Sequence, residues 1–166
     1  MKISLDNIDA FVFDFDGVLT NNLVHINQSG EELVSCSRAD GLGFELLRKI
    51  EKPAYILSSE VNSVVTTRAK KLKVPVLQGI SDKVKALKLL SEQQKFNLSR
   101  VLYVGNDLND YGVMQICGFS ACPSDSHKKI KSISTIQLNT KGGCGVVREL
   151  LEDVLKVDFV KIMFSE

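Results

Sequence analysis

Short apolar runs and amphipathic stretches alternate along the whole sequence. Runs rich in β-branched and aromatic residues predict strands at 8–14, 54–58, 74–77, 100–104, 118–121 and 134–138. Segments with apolar residues at helical spacing predict helices at 41–50, 61–72, 82–95, 108–116, 125–132 and 144–155. In the clearest of these, Val84, Leu87 and Leu90 share one stripe, and Ser81 or Asp82 can cap the N-terminus. This alternation predicts an α/β fold, a doubly wound, Rossmann-like parallel sheet with helices on both faces.

One segment departs from this alternation. Residues 23–35, LVHINQSGEELVS, form two extended runs around NQSG, which predicts a β-hairpin projecting after the first strand, in a flap spanning about 18–36. The intervals of 43 residues between Asp14 and Ser58 and 24 between Ser58 and Lys83 are too short for an inserted cap domain. We therefore expect a single domain over residues 1–166, ending in an apolar tail at about 156–166.

Composition narrows the possible classes of function. Lys and Arg number 21 and Asp and Glu number 20, so net charge predicts neither a nucleic-acid nor a membrane partner. The four cysteines form no CxxC pair and the two histidines lie far from them in sequence, which disfavours a zinc or disulfide framework. Asp6 and Asp9 interrupt the N-terminal segment, and no apolar run approaches about 18 residues. These features predict a cytoplasmic protein.

Polar side chains collect where the predicted strands end. They are Asp14, Asp16 and Gly17 after the first strand, Ser58 and Ser59 after the second, Lys83 at a helix start, and residues 104–110 after the fourth. Ligands bind beyond the carboxyl ends of the strands in such sheets. Carboxylates, a hydroxyl and an ammonium group suit phosphoryl transfer assisted by a hard cation. Taken singly, the same residues also suit a solvated turn, a helix cap and a surface lysine.

Four of these motifs resemble a known set. DFDGVLT, SSE, DK and GNDLND, in this order, are similar to the motifs of the haloacid dehalogenase superfamily of aspartate-based phosphatases. RADGLGFELL at 38–47, RAKKLKV at 68–74 and GGCGVVREL at 142–150 resemble its capless branch, which acts on phosphorylated 2-keto-3-deoxy sugar acids. That branch comprises the 3-deoxy-D-manno-octulosonate 8-phosphate and nonulosonate 9-phosphate phosphatases, together with the C-terminal domain of some CMP-sialate synthetases.

The resemblance implies a role for each motif. Asp14 would be the nucleophile that forms an aspartyl-phosphate, and Asp16 the general acid and base. Lys83 would neutralise the charge of the nucleophile and the phosphoryl group. The remaining implied residues are Ser58 and Ser59 at the phosphate, with Gly17 and Asp110 supporting the site.

The resemblance also implies a Mg²⁺ site, and here the sequence departs from the family pattern. The ion would be held by Asp14, the backbone carbonyl of Asp16 and an acidic residue of the fourth motif. That motif usually begins Gly-Asp but here begins Gly105-Asn106, so the last ligand is either the Asn106 amide oxygen or Asp107, and weaker Mg²⁺ binding is expected. The second motif likewise has Ser58-Ser59 in place of Thr-Gly.

Two hypotheses about function follow. Glu60, Arg68 and Lys71 match the pattern of the nonulosonate-phosphate relatives, whose corresponding residues face the substrate, although they equally suit solvated helix charges. A sugar-acid phosphate is therefore the predicted substrate, with nonulosonate 9-phosphate favoured and octulosonate 8-phosphate next, in sialic acid or lipopolysaccharide biosynthesis. Asn106 also occurs in the synthetase-linked domains, so the alternative is a weakly active or inactive assembly module associated with a CMP-sialate synthetase.

The resemblance finally implies an assembly. Members of the capless branch form homotetramers. Their hairpins associate around a central axis, and neighbouring subunits help to enclose each active site in place of a cap domain. We therefore predict a homotetramer, in which the apolar tail covers its own core or reaches a neighbour's site.

Overall fold

The computed structural model describes residues 3–164 and contains a six-stranded parallel sheet. The strands, in chain order, are β1 (Ala10–Phe13), β2 (His25–Ile26), β3 (Glu32–Leu33), β4 (Ala54–Leu57), β5 (Val76–Leu77), β6 (Val101–Val104), β7 (Phe119–Cys122) and β8 (Ile136–Gln137). The sheet has the order β5-β4-β1-β6-β7-β8, while β2 and β3 form a separate antiparallel hairpin. This arrangement confirms the predicted fold class and brings the ends of β1, β4 and β6 together at the centre.

Helices connect the strands. They are α1 (Arg38–Lys49), α2 (Val64–Leu72), α3 (Lys83–Gln94), α4 (Tyr111–Ile116), α5 (Lys128–Ile133), α6 (Val146–Glu149) and α7 (Phe159–Phe164). A 3₁₀ turn, Leu108–Asp110, precedes α4, and a π-helical turn, Leu150–Val154, extends α6. Within residues 3–164, no helix has the length and apolar character needed to span a bilayer.

Every helix from α1 to α6 starts one to three residues later or earlier than predicted, and for α1 and α2 the structure shows the local reason. α1 begins at Arg38 instead of 41, because the Ser37 hydroxyl accepts a hydrogen bond of 3.1 Å from the Ala39 N–H. α2 begins at Val64 instead of 61, because Glu60 Oε1 accepts hydrogen bonds from the next two backbone N–H groups, at 2.6 and 2.8 Å. In both places a polar side chain accepts backbone N–H groups and fixes the backbone ahead of the helix.

The core lies on both faces of the sheet. Phe11 and Phe13 of β1 point to the cluster that includes α1 and α6, whereas Ala10 and Val12 point to the cluster that includes α3 and α4. The Phe13 ring meets Phe44 of α1 edge to face, with 5.1 Å between the ring centroids. A central parallel strand covered on both faces explains why the first strand is apolar at every position.

Apolar side chains of the hairpin are exposed, whereas the tail places Phe159 against the core. A bridge between Thr20 and Cys36 closes the base of the hairpin, while the side chains of Leu23, Ile26 and Leu33 are between 61% and 69% exposed. In the tail, Phe159 is only 4% exposed, and the Arg148 guanidinium lies 4.0 Å from its ring centroid. The tail therefore forms a helix that covers the core of its own chain, which is the first of its two predicted placements.

Candidate active site

A polar cavity opens beyond the carboxyl ends of β1, β4 and β6. Its volume is about 470 Å³, and it is lined by Asp14, Asp16, Asn22, Ser58, Ser59, Glu60, Asn106, Asp107, Leu108 and Asn109. The parallel sheet makes this convergence unavoidable, because the central strands end at the same edge. Most of the polar residues predicted from the sequence thus share one cavity.

Asp14 lies at the end of β1 and is almost fully buried. Its Oδ1 accepts a hydrogen bond of 2.8 Å from the Phe15 N–H and lies 2.8 Å from Lys83 Nζ. Burial, followed by the negative charge of Asp110, raises the pKa of Asp14 to about 8, although Lys83 acts in the opposite direction. A further positive charge in the cavity would lower the pKa and favour the ionised carboxylate.

Lys83 belongs to a buried network behind Asp14. Its Nζ also lies 2.7 Å from Asp110 Oδ1, which in turn accepts a hydrogen bond of 2.9 Å from the Tyr103 hydroxyl. Burial alone would lower the pKa of Lys83, but the carboxylates of Asp14 and Asp110 outweigh it and raise the pKa, so the ammonium stays charged. Asp110 Oδ2 accepts the Asn106 N–H at 2.9 Å, which fixes the fourth motif to the same network.

Asp16 is half-buried and is oriented by Thr20. The Thr20 hydroxyl donates to Asp16 Oδ1 at 3.3 Å and accepts the N–H groups of Gly17 and Asn22, at 3.1 and 3.2 Å. Burial raises the pKa of Asp16, in opposition to the Thr20 hydrogen bond. A carboxyl group with a raised pKa beside a polar cavity holds its proton more readily, which is what a general acid requires.

The fourth motif offers an uncommitted oxygen at Asn106. This side chain is buried, and in the described part of the chain its Oδ1 has no hydrogen-bond partner. Asp107, in contrast, is exposed, and its Oδ1 accepts the N–H of Leu108 at 2.7 Å. Asn106 also lies directly over Gly17, where an added Cβ would be 1.9 Å from Asn106 Nδ2. Only glycine at position 17 leaves room for this amide.

The second motif supplies a hydroxyl at the cavity. Ser58 is buried, and its Oγ accepts the Glu60 N–H at 3.1 Å. Ser59 and Glu60 line the same cavity, although one oxygen of Glu60 is engaged with its own loop. The hairpin reaches this loop as well, because Asn62 Nδ2 donates to Glu32 Oε2 at 3.0 Å.

Arg68 and Lys71, which the resemblance placed near the substrate, line a different cavity. Its volume is about 570 Å³, and it includes three further basic residues, Arg38, Arg48 and Lys73. Arg68 donates from Nη2 to the Ser37 carbonyl at 2.8 Å, which holds it against the start of α1. Within one chain, the structure therefore separates these two cations from Glu60.

Several residues of this site escaped the sequence analysis. Thr20 lies inside the DGVLT motif, four residues after Asp16. This spacing does not predict their hydrogen bond unless the turn between them is known. Tyr103 was predicted as an ordinary strand residue, and Asn22 and Glu32 as hairpin residues. The hydrogen bond between Asn62 and Glu32 joins segments far apart in sequence, and the hydrogen bond from Tyr103 to Asp110 depends on how the chain turns after β6.

No group of three His, Cys, Asp or Glu side chains within residues 3–164 is arranged to bind a metal ion. The cavity is lined by the carboxyl groups of Asp14, Asp16, Glu60 and Asp107 and by the side chain of Asn106. Oxygen donors of this kind suit a hard cation such as Mg²⁺. The orphaned Oδ1 of Asn106 is the observation that fits such an ion.

Fold and site together define a class of doubly wound α/β proteins in which paired aspartates after the first strand face a polar cavity backed by a buried lysine. The model of the haloacid dehalogenase-like hydrolase family matches residues 42–150. The chain belongs to this family. The predicted enzyme class, a phosphatase, is confirmed at the level of the family.

Characterised relatives and solved structures agree with this assignment. The chain is 31% identical to the 3-deoxy-D-manno-octulosonate 8-phosphate phosphatase of Yersinia pestis over 90% of this chain and 80% of that protein. It is 40% identical to a Streptomyces avermitilis protein assigned to this hydrolase family, with a TM-score of 0.92, covering 96% of this chain and 91% of the other. It is 30% identical to the octulosonate phosphatase of Moraxella catarrhalis, solved with magnesium, phosphate and KDO, with a TM-score of 0.86 and coverage of 90% and 87%.

Proposed function

We propose that this protein is a Mg²⁺-dependent phosphomonoesterase that hydrolyses a phosphorylated 2-keto-3-deoxy sugar acid through an aspartyl-phosphate on Asp14. The supporting observation is the Asp14 carboxylate, which borders the cavity and is held by Lys83 Nζ and the Phe15 N–H. Both contacts go to Oδ1, so the second oxygen is the one available for attack. A positioned, charge-stabilised carboxylate is the nucleophile that this chemistry needs.

Magnesium would be held by Asp14, the backbone carbonyl of Asp16 and Asn106 Oδ1. Asn106 is preferred to Asp107 because its oxygen is buried and has no partner among the described residues, whereas Asp107 is exposed and caps the following turn. When bound, the ion supplies positive charge that offsets the phosphate oxygens and favours the ionised form of Asp14.

The reaction would proceed in two displacements. In the first, the free oxygen of Asp14 bonds to phosphorus, the phosphorus–sugar oxygen bond breaks, and Asp16 gives its proton to the departing sugar hydroxyl. In the second, Asp16 takes a proton from water, whose oxygen bonds to phosphorus as the bond to Asp14 breaks. Lys83 stabilises negative charge in both steps, and the Ser58 hydroxyl and neighbouring N–H groups bind phosphate oxygens.

For the substrate we favour a nonulosonate 9-phosphate, with 3-deoxy-D-manno-octulosonate 8-phosphate next. Glu60 at the cavity supports the first, because it matches the nonulosonate-phosphate pattern. The names of the octulosonate phosphatase relatives support the second. Both compounds are 2-keto acids, and a cationic side chain would suit their carboxylate.

That cation would come from a second copy of the chain. The charged residues that line the cavity are acidic, and Arg68 and Lys71 line a separate surface cavity. We therefore propose the homotetramer, with hairpins in contact through the exposed Leu23, Ile26 and Leu33, and with Arg68 and Lys71 directed toward a neighbour's substrate.

The test is phosphate release from both sugar-acid phosphates, with and without Mg²⁺. The wild-type chain should release phosphate only with the metal, and Asp14→Asn should lose at least about 100-fold in kcat because the nucleophile is gone. Asp9→Asn is the matched control, because Asp9 pairs with Arg100 at the opposite end of the sheet and should leave turnover unchanged. Retention of more than a few per cent of the rate in Asp14→Asn would refute this role.

The alternative function is the assembly module associated with a CMP-sialate synthetase, and the replacement of a carboxylate by Asn106 is the observation that favours it. It predicts weak or no metal-dependent phosphate release from both sugar-acid phosphates, together with co-purification of the two proteins. Efficient turnover of either sugar-acid phosphate without co-purification would exclude it.

A further inference from the structure

A glycine loop from the C-terminal part of the chain is pressed against the turn that holds Asp16. The Gly143 N–H donates to the Val18 carbonyl at 3.0 Å. A Cβ added at Gly142 would lie 2.2 Å from the Gly17 carbonyl oxygen, and one added at Gly143 would lie 2.5 Å from the Asn21 nitrogen. The two backbones are therefore in direct contact over residues 17–21, with no side chain between them.

This turn sets the position of Asp16. Thr20, which is fully buried, gives its hydroxyl hydrogen to Asp16 and receives the N–H groups on both sides of the turn. Its carbonyl oxygen would lie 2.9 Å from a Cβ at Gly142. A displacement of the glycine loop is consequently transmitted through the Thr20 backbone to the carboxyl group of Asp16.

The far end of the loop is fixed by Asp40. This residue is 2% exposed, and its Oδ1 accepts the Val147 N–H at 2.8 Å, across 107 positions of sequence. Gly145, at the start of α6, has no side chain with which to cap the helix, so Asp40 provides the capping oxygen from α1. The loop is thus tied to the Asp16 turn at one end and to α1 at the other.

We propose that the loop Gly142–Gly145, capped by Asp40, is a positioning element for Asp16. The proposal rests on the general-acid role given to Asp16 above. Neither Asp40 nor the loop residues line the cavity described above, so their effect must pass through the turn. The loop acts on proton delivery to the leaving oxygen and leaves the Asp14, Lys83 and Asp110 network in place.

The first test uses a pair of glycine substitutions matched for backbone strain. Gly143→Ala and Gly30→Ala both place a side chain at positive φ, +70° and +78°, but only the first meets atoms within 4 Å. Both carry a similar conformational cost, so a difference between them reports contact with the turn. Gly30→Ala should behave as wild type, and light scattering verifies that its oligomeric state is unchanged.

The second test uses Asp40→Ala and Asp40→Asn. Alanine removes the capping oxygen, whereas the Asn Oδ1 can still accept the Val147 N–H. We expect Asp40→Asn to restore most of what Asp40→Ala loses. Loss of side-chain volume lowers thermal stability by itself. Each variant is therefore assayed at a temperature at which it is fully folded, so that unfolding does not contribute to the loss of activity.

The readout compares kcat/KM for two leaving groups. An alkyl leaving oxygen needs a proton from Asp16, and p-nitrophenolate does not. Gly143→Ala and Asp40→Ala should therefore lose about 100-fold with the sugar-acid phosphate but less than about threefold with p-nitrophenyl phosphate. Equal losses with both substrates, or no loss with either, would overturn the proposal.

Hydrogen exchange gives a readout that does not depend on activity. In Gly143→Ala and Asp40→Ala, amides of residues 15–22 should exchange faster than in the wild type and in both control variants. Exchange that rises only in residues 142–154 overturns the proposal. If the wild type itself has no phosphatase activity, the proposed function fails, and the exchange data still decide whether the loop holds the turn.

Discussion

Asp40 should make the stability of this protein depend on pH in a way that a single substitution removes. The carboxyl is 2% exposed, and its Oδ2 has no hydrogen-bond partner among the described residues. Burial raises the pKa of Asp40 from 3.8 to about 6, against the hydrogen bonds it accepts from the Val147 and Arg148 N–H groups and the nearby charge of Arg68. At neutral pH the folded state must therefore hold an ionised carboxylate in an unfavourable site.

The magnitude follows from the two pKa values. At about 1.4 kcal/mol per pKa unit, a rise from 3.8 to about 6 corresponds to about 3 kcal/mol. Because the folded state binds the proton more tightly, the contribution of Asp40 to the free energy of unfolding is complete below pH 3.8. It declines through the interval between the two values and is lost above about pH 6.

The perturbation is Asp40→Asn, measured by urea unfolding of the full chain from pH 4 to 8 at fixed protein concentration. The free energy of unfolding of the variant minus that of the wild type should rise by about 2.4 kcal/mol over this range, since pH 4 lies just above the lower pKa, whatever constant cost the new amide adds. In Asp9→Asn the difference should be nearly flat over this range, because the Arg100 hydrogen bond lowers the pKa of Asp9 and its contribution is lost only as the pH falls below 3.8. A difference for Asp40→Asn that does not vary with pH would refute the reasoning.

Three further predictions concern the metal, the tail and the assembly. Asn106→Asp should lower the Mg²⁺ concentration for half-maximal activity, and an unchanged titration would make Asp107 the ligand. Phe159→Ala should destabilise the chain by about 3–5 kcal/mol in urea unfolding, with Val160→Ala, 70% exposed, within about 0.5 kcal/mol as the control. Leu33→Ser should shift light scattering from tetramer toward monomer, whereas a monomeric wild type at micromolar concentration would contradict the proposed assembly.

The sheet and its functional edge could be predicted because their signals are local. Each strand is an apolar run short enough to identify by itself, and the order of motifs places Asp14, Ser58 and Asn106 at strand ends before any contact is known. The doubly wound topology then brings those ends together. Burial on both faces explains why β1 shows no alternation, which helped the prediction instead of obscuring it.

The elements that could not be predicted depend on contacts between distant residues or on short polar turns. The start of α2 is displaced by the Glu60 turn, and the α7 helix forms where the sequence indicated only an apolar tail. Arg68 and Lys71 are close to Glu60 in sequence, yet they follow the helix away from the cavity. The resemblance implied a site shared with Glu60, whereas the direction of α2 separates them within one chain.

The charge balance around Asp14 offers a physical reason for an asparagine at position 106, in addition to its effect on metal binding. Among the described residues, Lys83 is the one cation in contact with the buried carboxyl groups of Asp14 and Asp110, so this group carries a net negative charge whenever Asp14 is ionised, as it must be to attack phosphorus. A carboxylate at position 106 would add a second excess negative charge beside the phosphate position, at a distance where such repulsion is strong. Asparagine keeps the oxygen donor and removes that charge. Compared with aspartate, asparagine therefore weakens Mg²⁺ binding and reduces repulsion of the phosphate. The first effect is measured as a higher Mg²⁺ requirement, and the second as a lower KM.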